Sequence, residues 1–596
     1  MKRICMIWAA LALMALLAGC GTGFANDPGS AASPDPAASG ADASAVPSLS
    51  LGADEISFTG RDSDAGYDEA SATLVALSGV DGMITGSSAA LSDGLLSISA
   101  EGAYILRGDF SGSVVVEAPD DAKIQLVLDG VSIAAPSGPA LLIRAADKVF
   151  LTLAEGSENS LSDSAAYAVS GDDENVDAAL FSRADLTING AGTLTIAGNY
   201  KHGVVSKDDL VVTGGSIRIK SVSTALSGKD CVKISGGTFV LEAGAAGIKS
   251  ENEEEGLGYV YICGGSFTIN AGGKGIMGYA ALEIAGGDFG IVSADDALHT
   301  NGSFTLLDGT LALASDDDGI HADGDVAISG GTLTIRESYE GIEGANIAVS
   351  GGNIRLVSRD DGLNAAGGAD ASGFGGGFGG GFGGDRFAGA GDYSIVISGG
   401  YLYVDASGDG LDSNGSLTVS GGVTLVSGPV NDGNGAIDYM AGGSVTGGVV
   451  VAAGSSGMAE GFVEEGSAQC SLLVSGLSAS GGTRVTLADA AGNVVVSFVP
   501  AKDYASLVVS APALVQGETY TLYMGGDLAG AGTDANGYAA SGTLSGGTAF
   551  ASIELDALAT RYGSGGFGGS GGFPGGNPGG GNQGGGFPGG GGRPGN

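Results

Sequence analysis

A glycine pair recurs through the middle of this chain at a nearly fixed interval, and that period restricts the fold more than any other feature. Gly214-Gly215, Gly236-Gly237, Gly264-Gly265, Gly286-Gly287, Gly330-Gly331, Gly351-Gly352, Gly399-Gly400 and Gly421-Gly422 mark it, with Asp308-Gly309 in the remaining place. The steps are 22, 28, 22, 22, 22, 21, 48 and 22 residues. The two long steps are insertions, an acidic one at 251–258 and a glycine-phenylalanine one around 373–391. Glycine makes up 116 of 596 residues without a triplet period, so the repeat is a turn signal and not a collagen one.

Each unit has one grammar. A small residue followed by Ile, Leu or Val opens it, as in Ala225-Leu226, Gly247-Ile248, Gly275-Ile276, Ala297-Leu298, Gly319-Ile320, Gly341-Ile342, Gly362-Leu363 and Gly410-Leu411. An alternating run such as Val326-Ala327-Ile328 follows, then the glycine pair, then a second run such as Thr332-Leu333-Thr334-Ile335. Period-2 alternation with β-branched residues is a strand signal, and nothing in the unit reads as a helix. Short strands cannot bury their apolar faces alone, but stacked units can. The expected fold is therefore all-β: a right-handed parallel β-helix, a solenoid of 22 residues per coil. Less regular coils are expected upstream, at Ile124–Leu128, Ala140–Ile143 and Val149–Leu153. From 441 to 562 the period fades into a β cap or small β domain, which an open coil end requires because it is an exposed sheet edge.

The N-terminus carries a targeting signal. Lys2 and Arg3 precede the apolar run Ile4–Leu17, and Leu17-Ala18-Gly19-Cys20 has the form of a lipobox. The run is too short for a stable membrane span and reads as a cleaved leader, residues 1–19, with Cys20 as the lipidation site and membrane anchor. Residues 20–52 are an Ala/Ser/Pro linker, 53–440 the coil stack, and 563–596 a Gly/Pro tail without the means to bury a core.

Charge excludes one class of partner. The chain has 24 Lys and Arg against 67 Asp and Glu, a formal net charge of −43, and the leader takes two of the basic residues and none of the acids. Such a surface repels nucleic acid and suits divalent cations. Cys231, Cys263 and Cys470 fit neither a zinc pattern nor a disulfide framework and read as small buried residues.

Aligning the units on the opening residue turns sequence into columns. The position just before it reads His202, Thr224, Ala246, Lys274, Asp296, Asp318, Glu340, Asp361, Asp409, and the position before that adds Asp295, Asp317 and Asp360. Two after the opener come Val205, Ser227, Lys249, Met277, His299, His321, Glu343, Asn364 and Asp412. One side of the solenoid is thus a ribbon of stacked acids with His299 and His321 on its edge. Carboxylates stacked about 4.8 Å apart repel unless a cation lies between them. Ca2+ is the natural candidate, held by Asp295, Asp296, Asp317, Asp318, Glu340, Asp360, Asp361 and Asp409, with His299, His321, Glu343 and Asp412 as ligand-binding neighbours. The competing reading is a solvated acidic face. The histidines read either as transition-metal ligands with Asp318 or Asp323, or as surface polar residues.

The non-repetitive stretches Leu126–Ile133, Ala146–Leu153, Ala179–Gly190 and Gly203–Leu210, followed by the glycine-pair units, resemble a bacterial carbohydrate-binding β-helix family founded on a clostridial surface protein that binds cellulose and pectin-type polysaccharides. The resemblance covers 90–440. It implies a pectate-lyase-like parallel β-helix that binds polysaccharide with calcium and acts as a binding module rather than a proven enzyme. Two alternatives stay open. One is a calcium-dependent polysaccharide lyase, for which Lys249 and Lys274 are the only nearby candidates for the base. The other is a structural surface adhesin. The only tryptophan, Trp8, leaves with the leader, and Tyr279, Tyr401 and Tyr403 are the aromatics expected nearest the ribbon.

Overall fold

The computed structural model describes residues 51–53, 55–167, 173–366, 392–530 and 532–563. Among them the fold is all-β, with a single four-residue helix, Gly60–Ser63. The lipobox, most of the linker, the glycine-phenylalanine insertion and the tail lie outside the described residues.

A typical repeat folds as three strands. In one unit these are Leu298–Thr300, Ser303–Leu306 and Thr310–Ser315. Each pairs in parallel with its counterpart in the next unit: Leu298 with Ile320, Phe304 with Val326, Thr310 with Thr332. The short first strands stack into a 15-stranded sheet, and the other two belong to a 29-stranded sheet. In two units the second and third strands run on as one 13-residue strand, Tyr259–Ala271 and Ala281–Ser293. Parallel stacking continues through Val449–Gly454, the partner of Val423–Ser427.

The core follows from alternation. Leu226, Ile248, Ile276, Leu298, Ile320, Ile342, Leu363 and Leu411 form a fully buried interior column. Phe239, Phe267 and Phe289 stack in a second one, with centroids 4.6 Å apart at each step. Burying such side chains is worth about 1.5–3 kcal/mol apiece before the entropy cost. The small opening residue has a steric cause: a Cβ on Gly275 would lie 2.4 Å from the Ala297 carbonyl oxygen and 2.5 Å from Cγ2 of Ile291. The second glycine of each pair has a conformational one, since Gly287 sits at φ 113° and Gly309 at φ 119°.

Both ends of the stack are closed. Two antiparallel hairpins, Thr73–Gly79 with Asp81–Thr85 and Ala89–Ser92 with Leu95–Ile98, begin it. Beyond 454, Tyr504–Ser510 pairs antiparallel with Val449–Gly454, and a four-stranded antiparallel sheet follows. The core of this region, including Leu472, Leu487, Phe498 and Leu522, packs on Tyr403, Leu425 and Val451 of the last coils. Tyr403 is thereby buried and the Tyr401 hydroxyl donates to Asp534, so neither tyrosine borders the acidic ribbon as expected. They sit on the larger sheet, whose outward face is covered here.

An N-terminal strap, without any periodic signal in the sequence, lies against this fold. Residues 51–53 and 55–66 cross the outside of the larger sheet. The Leu51 amide donates to Glu283, Phe58 meets Tyr261 at 6.2 Å, and Lys233 donates to the Ser57 carbonyl. Asp62 is buried, accepts from Thr187 and pairs with Lys148 at 2.9 Å. Its pKa falls to about 2: burial pushes it up, but hydrogen bonds from Thr59, Lys148 and Thr187 outweigh that.

Candidate functional site

The acidic ribbon forms where the chain turns into each short strand. In Leu298–Thr300 all three residues are buried; Leu298 belongs to the core, and period 2 places His299 on the opposite face of the strand. Strand register confirms the outer column: Lys249 pairs with Met277, then come His299, His321, Glu343, Asn364 and Asp412 in succession. The column before the opener is equally regular. The backbone amides of Gly275, Ala297, Gly319, Gly341 and Gly362 donate to the carbonyls of Asp296, Asp318, Glu340, Asp361 and Asp409.

The carboxylates of this column have a structural role that alignment alone did not show. Four of its five acids, all but Glu340, cap the corresponding amide of the next coil. Asp296 Oδ1 accepts from the Asp318 amide at 3.1 Å, and Asp318 Oδ1 from the Glu340 amide at 3.0 Å. Asp361 accepts from the Asp409 amide and Asp409 from the Gly435 amide. One oxygen of each of these groups is thus committed, and the other faces its neighbours.

Those second oxygens fall into three clusters. At the lower end Asp295, Asp296 and Asp317 bring ligand atoms within 4.8 Å of one another. Lys274 lies among them, with Nζ 3.1 Å from Asp295 Oδ1 and 2.6 Å from Asp296 Oδ2. The His299 Nδ1 is 2.8 Å from the same Asp296 oxygen. Burial disfavours the Asp296 anion, yet His299 and Lys274 hold its pKa at about 2.

The middle cluster is Asp318, His321 and Glu343. His321 Nδ1 lies 2.7 Å from Glu343 Oε2 and 3.2 Å from Asp318 Oδ2, and its Nε2 is 3.2 Å from Asp323. The two imidazoles stack at 5.0 Å and 8°. Both are buried, at 5% and 1% exposure, so they are not the surface residues of one sequence reading. Burial opposes charge on His321, but its bonds to Asp318 and Glu343 win and lift its pKa to about 11. The ring sits between carboxylates that favour its protonated form, while burial pushes Asp318 itself up to about 7.

The upper cluster is Asp361, Asp409 and Asp412. Burial, then the charges of Asp409, Asp412 and Asp360, push Asp361 well above the usual carboxylate range. Asn364 stands in the column between Glu343 and Asp412, three residues after Asp361, where the lower coils place histidine. It is 4% exposed; its Nδ2 donates to Glu340 at 2.9 Å and its buried Oδ1 has no partner. Glu340 belongs to the wall between the middle and upper clusters, and burial followed by Glu343, Asp318 and Asp361 raises its pKa well above the ordinary value. Asp360 is turned toward Tyr339, whose phenol pKa its hydrogen bond raises.

Neither lysine is presented as a free base. Lys249 pairs with Glu251, and the acids around Lys274 keep its pKa raised in spite of burial. A fourth cluster escaped sequence reading: Asp185, Asp208 and Asp209. It lies at the start of the second strands, where Lys148, Asp185, Asp209 and Cys231 are linked through strand register. Aligning the units on that strand as well as on the first would have exposed it. Cys231 donates to Asp209 at 3.0 Å, and burial followed by Asp209 raises Asp185 to about 6.

With this geometry in place, the likeness to known proteins can be stated. Residues 92–341 and 290–378 match the family model described as carbohydrate-binding domain-containing protein. A carbohydrate-binding domain-containing protein of Acetivibrio thermocellus is 35% identical over 126 residues, 21% of this chain and 44% of that protein. The chain therefore spans less than half the length of that relative. A solved structure, the gadolinium derivative of the polysaccharide lyase-like protein from C. thermocellum, aligns over 43% of this chain and 96% of its own, at 29% identity and a TM-score of 0.37. Over the residues matched, the chain is similar to carbohydrate-binding domain-containing proteins.

Proposed function

We propose that this chain is an exported, Cys20-lipidated surface protein that holds polysaccharide through a calcium-loaded face of a right-handed parallel β-helix. The match to carbohydrate-binding domains supports the polysaccharide partner. The observation that carries the calcium reading is the unpartnered Oδ1 of buried Asn364, which strand register sets opposite Asp412 of the Asp361, Asp409 and Asp412 cluster. Three carboxylates and an amide oxygen are a hard, all-oxygen donor set, which suits Ca2+ in loose geometry. Lys274 and His321 already supply positive charge to the lower and middle clusters. The ion is therefore assigned to the upper one, with Asp361, Asp409, Asp412 and Asn364 as its holders. Held there, calcium would supply the positive charge that lets this acidic face attract, rather than repel, an acidic sugar chain.

Binding without catalysis is the reading preferred here, because the amines of Lys249 and Lys274 are engaged as counter-ions. The test is a pull-down on polygalacturonate and on crystalline cellulose, each with calcium and with EDTA. The expected result is retention on polygalacturonate only with calcium, lost in the Asp361→Asn, Asp409→Asn double variant, and weak retention on cellulose. Tight cellulose binding indifferent to EDTA would overturn the calcium bridge, and new ultraviolet absorbance from unsaturated products would establish a lyase. For the anchor, palmitate labelling of the wild type that persists in Cys20→Ser would overturn the lipobox.

A further inference from the structure

The N-terminal strap does more than cover the sheet. Where it passes the coil turns at 152–155, 190–191 and 213 it stands off from them, leaving a cleft of about 570 Å³. Leu153 and Gly190 line it from the coils with Glu155 and Thr213, Ser63 lines it from the strap, and Tyr67, the residue that follows the strap, lines it as well. The walls are fixed. Thr213 donates to the Asp62 carbonyl at 2.8 Å, Asn189 donates to the same carbonyl at 3.0 Å, and Gln125 donates to the Gly66 carbonyl at 3.2 Å.

We infer that this cleft binds a short neutral saccharide or the neutral end of a longer chain, a second sugar site separate from the acidic ribbon; the inference rests on the carbohydrate-binding reading above. The volume lies within the range of about 300–1,000 Å³ found for small-ligand sites. Tyr67 is 37% exposed and offers a phenol ring on which the C–H face of a pyranose can stack. Glu155, Ser63 and the turn carbonyls supply acceptors for sugar hydroxyls. The cleft's lining residues include a carboxylate and no basic side chain, so it disfavours uronates, phosphates and sulfated sugars. Being concave, it fits a free chain end and not the flat face of a crystal.

The test is calorimetric titration of the intact protein in EDTA with cellotetraose, and with tetragalacturonate as the charged control. Cellotetraose is expected to bind without calcium. Tyr67→Ala should weaken it about tenfold. Tyr67→Phe should retain it, and Glu155→Gln should weaken it less than Tyr67→Ala. All three variants should keep calcium-dependent retention on polygalacturonate, which shows them folded. Unchanged cellotetraose affinity in Tyr67→Ala would overturn the site. So would failure of the wild type to bind cellotetraose while it still binds polygalacturonate with calcium, an outcome that leaves the general carbohydrate reading intact. Failure to bind either sugar would remove both.

Discussion

His321 is the residue on which the middle of the ribbon depends. Its ring is 1% exposed and touches Asp318, Glu343 and Asp323. Removing the cation leaves buried carboxylates facing one another, a loss of about 3–5 kcal/mol. The pH dependence has a definite sign. His321 titrates near 6.5 in the unfolded chain and at about 11 in the folded one, so folding takes up a proton between those values. The stabilisation is complete below pH 6.5, declines above it and is gone past pH 11. The difference in unfolding free energy between wild type and His321→Gln should therefore be largest near pH 6 and shrink steadily toward pH 10. Urea melts across that range measure it. An equal gap at both ends would mean that the imidazole is neutral in the fold and that packing alone sets its worth.

At the scale of the element, the repeat works because the opening residue has almost no side chain. A Cβ at Gly319 would stand 2.7 Å from the Gly341 carbonyl and 2.6 Å from Cδ1 of Ile335. Gly319→Val should accordingly force the short strand away from the next coil and cost about 1–3 kcal/mol or more, read as a lower denaturation midpoint. Gly319→Ala should cost less, and equal stability of all three proteins would show that the coils have slack the contacts do not suggest. These short strands were legible in the sequence because their signal is local and repeated. The opener, the alternation and the step of 22 residues place His299 under His321 without knowledge of any contact. What escaped were features with no period. The strap 51–66 has a polar, irregular composition, and its anchors, Glu283, Lys233 and Thr187, lie more than 120 residues away. The burial of the histidines escaped too, because alternation puts them outward while the corner acids and Asp323 close around them. Asn364 drew no notice in the sequence, since a neutral amide adds no charge to the ribbon, yet its unpartnered oxygen is the feature that distinguishes the upper cluster.

Across the whole molecule, net charge and the ribbon make different demands on cations, and salt separates them. A chain of net charge −43 repels itself, so any electrolyte relieves some of that strain through screening, and the relief depends on ionic strength alone. A coordinated ion behaves otherwise. An ion held by Asp361, Asp409 and Asp412, which converge from coils separated by 48 residues of sequence, would bind the folded stack and find no such site in the unfolded chain. Mass action then adds about 2.7 kcal/mol when calcium is a hundredfold above its Kd. Calcium should raise Tm above the value in sodium chloride of matched ionic strength, and magnesium should do less, since it demands tighter octahedral geometry and sheds water reluctantly. The Asp361→Asn, Asp409→Asn variant should lose the calcium-specific part and keep the part due to screening. Removing these charges also relieves the repulsion that raises the Asp361 pKa, so this variant should melt higher than wild type in EDTA and lower in saturating calcium. A crossing of the two melting curves with calcium is the signature of a metal site. Parallel displacement at every calcium concentration would instead mark the ribbon as an acidic face that holds no ion.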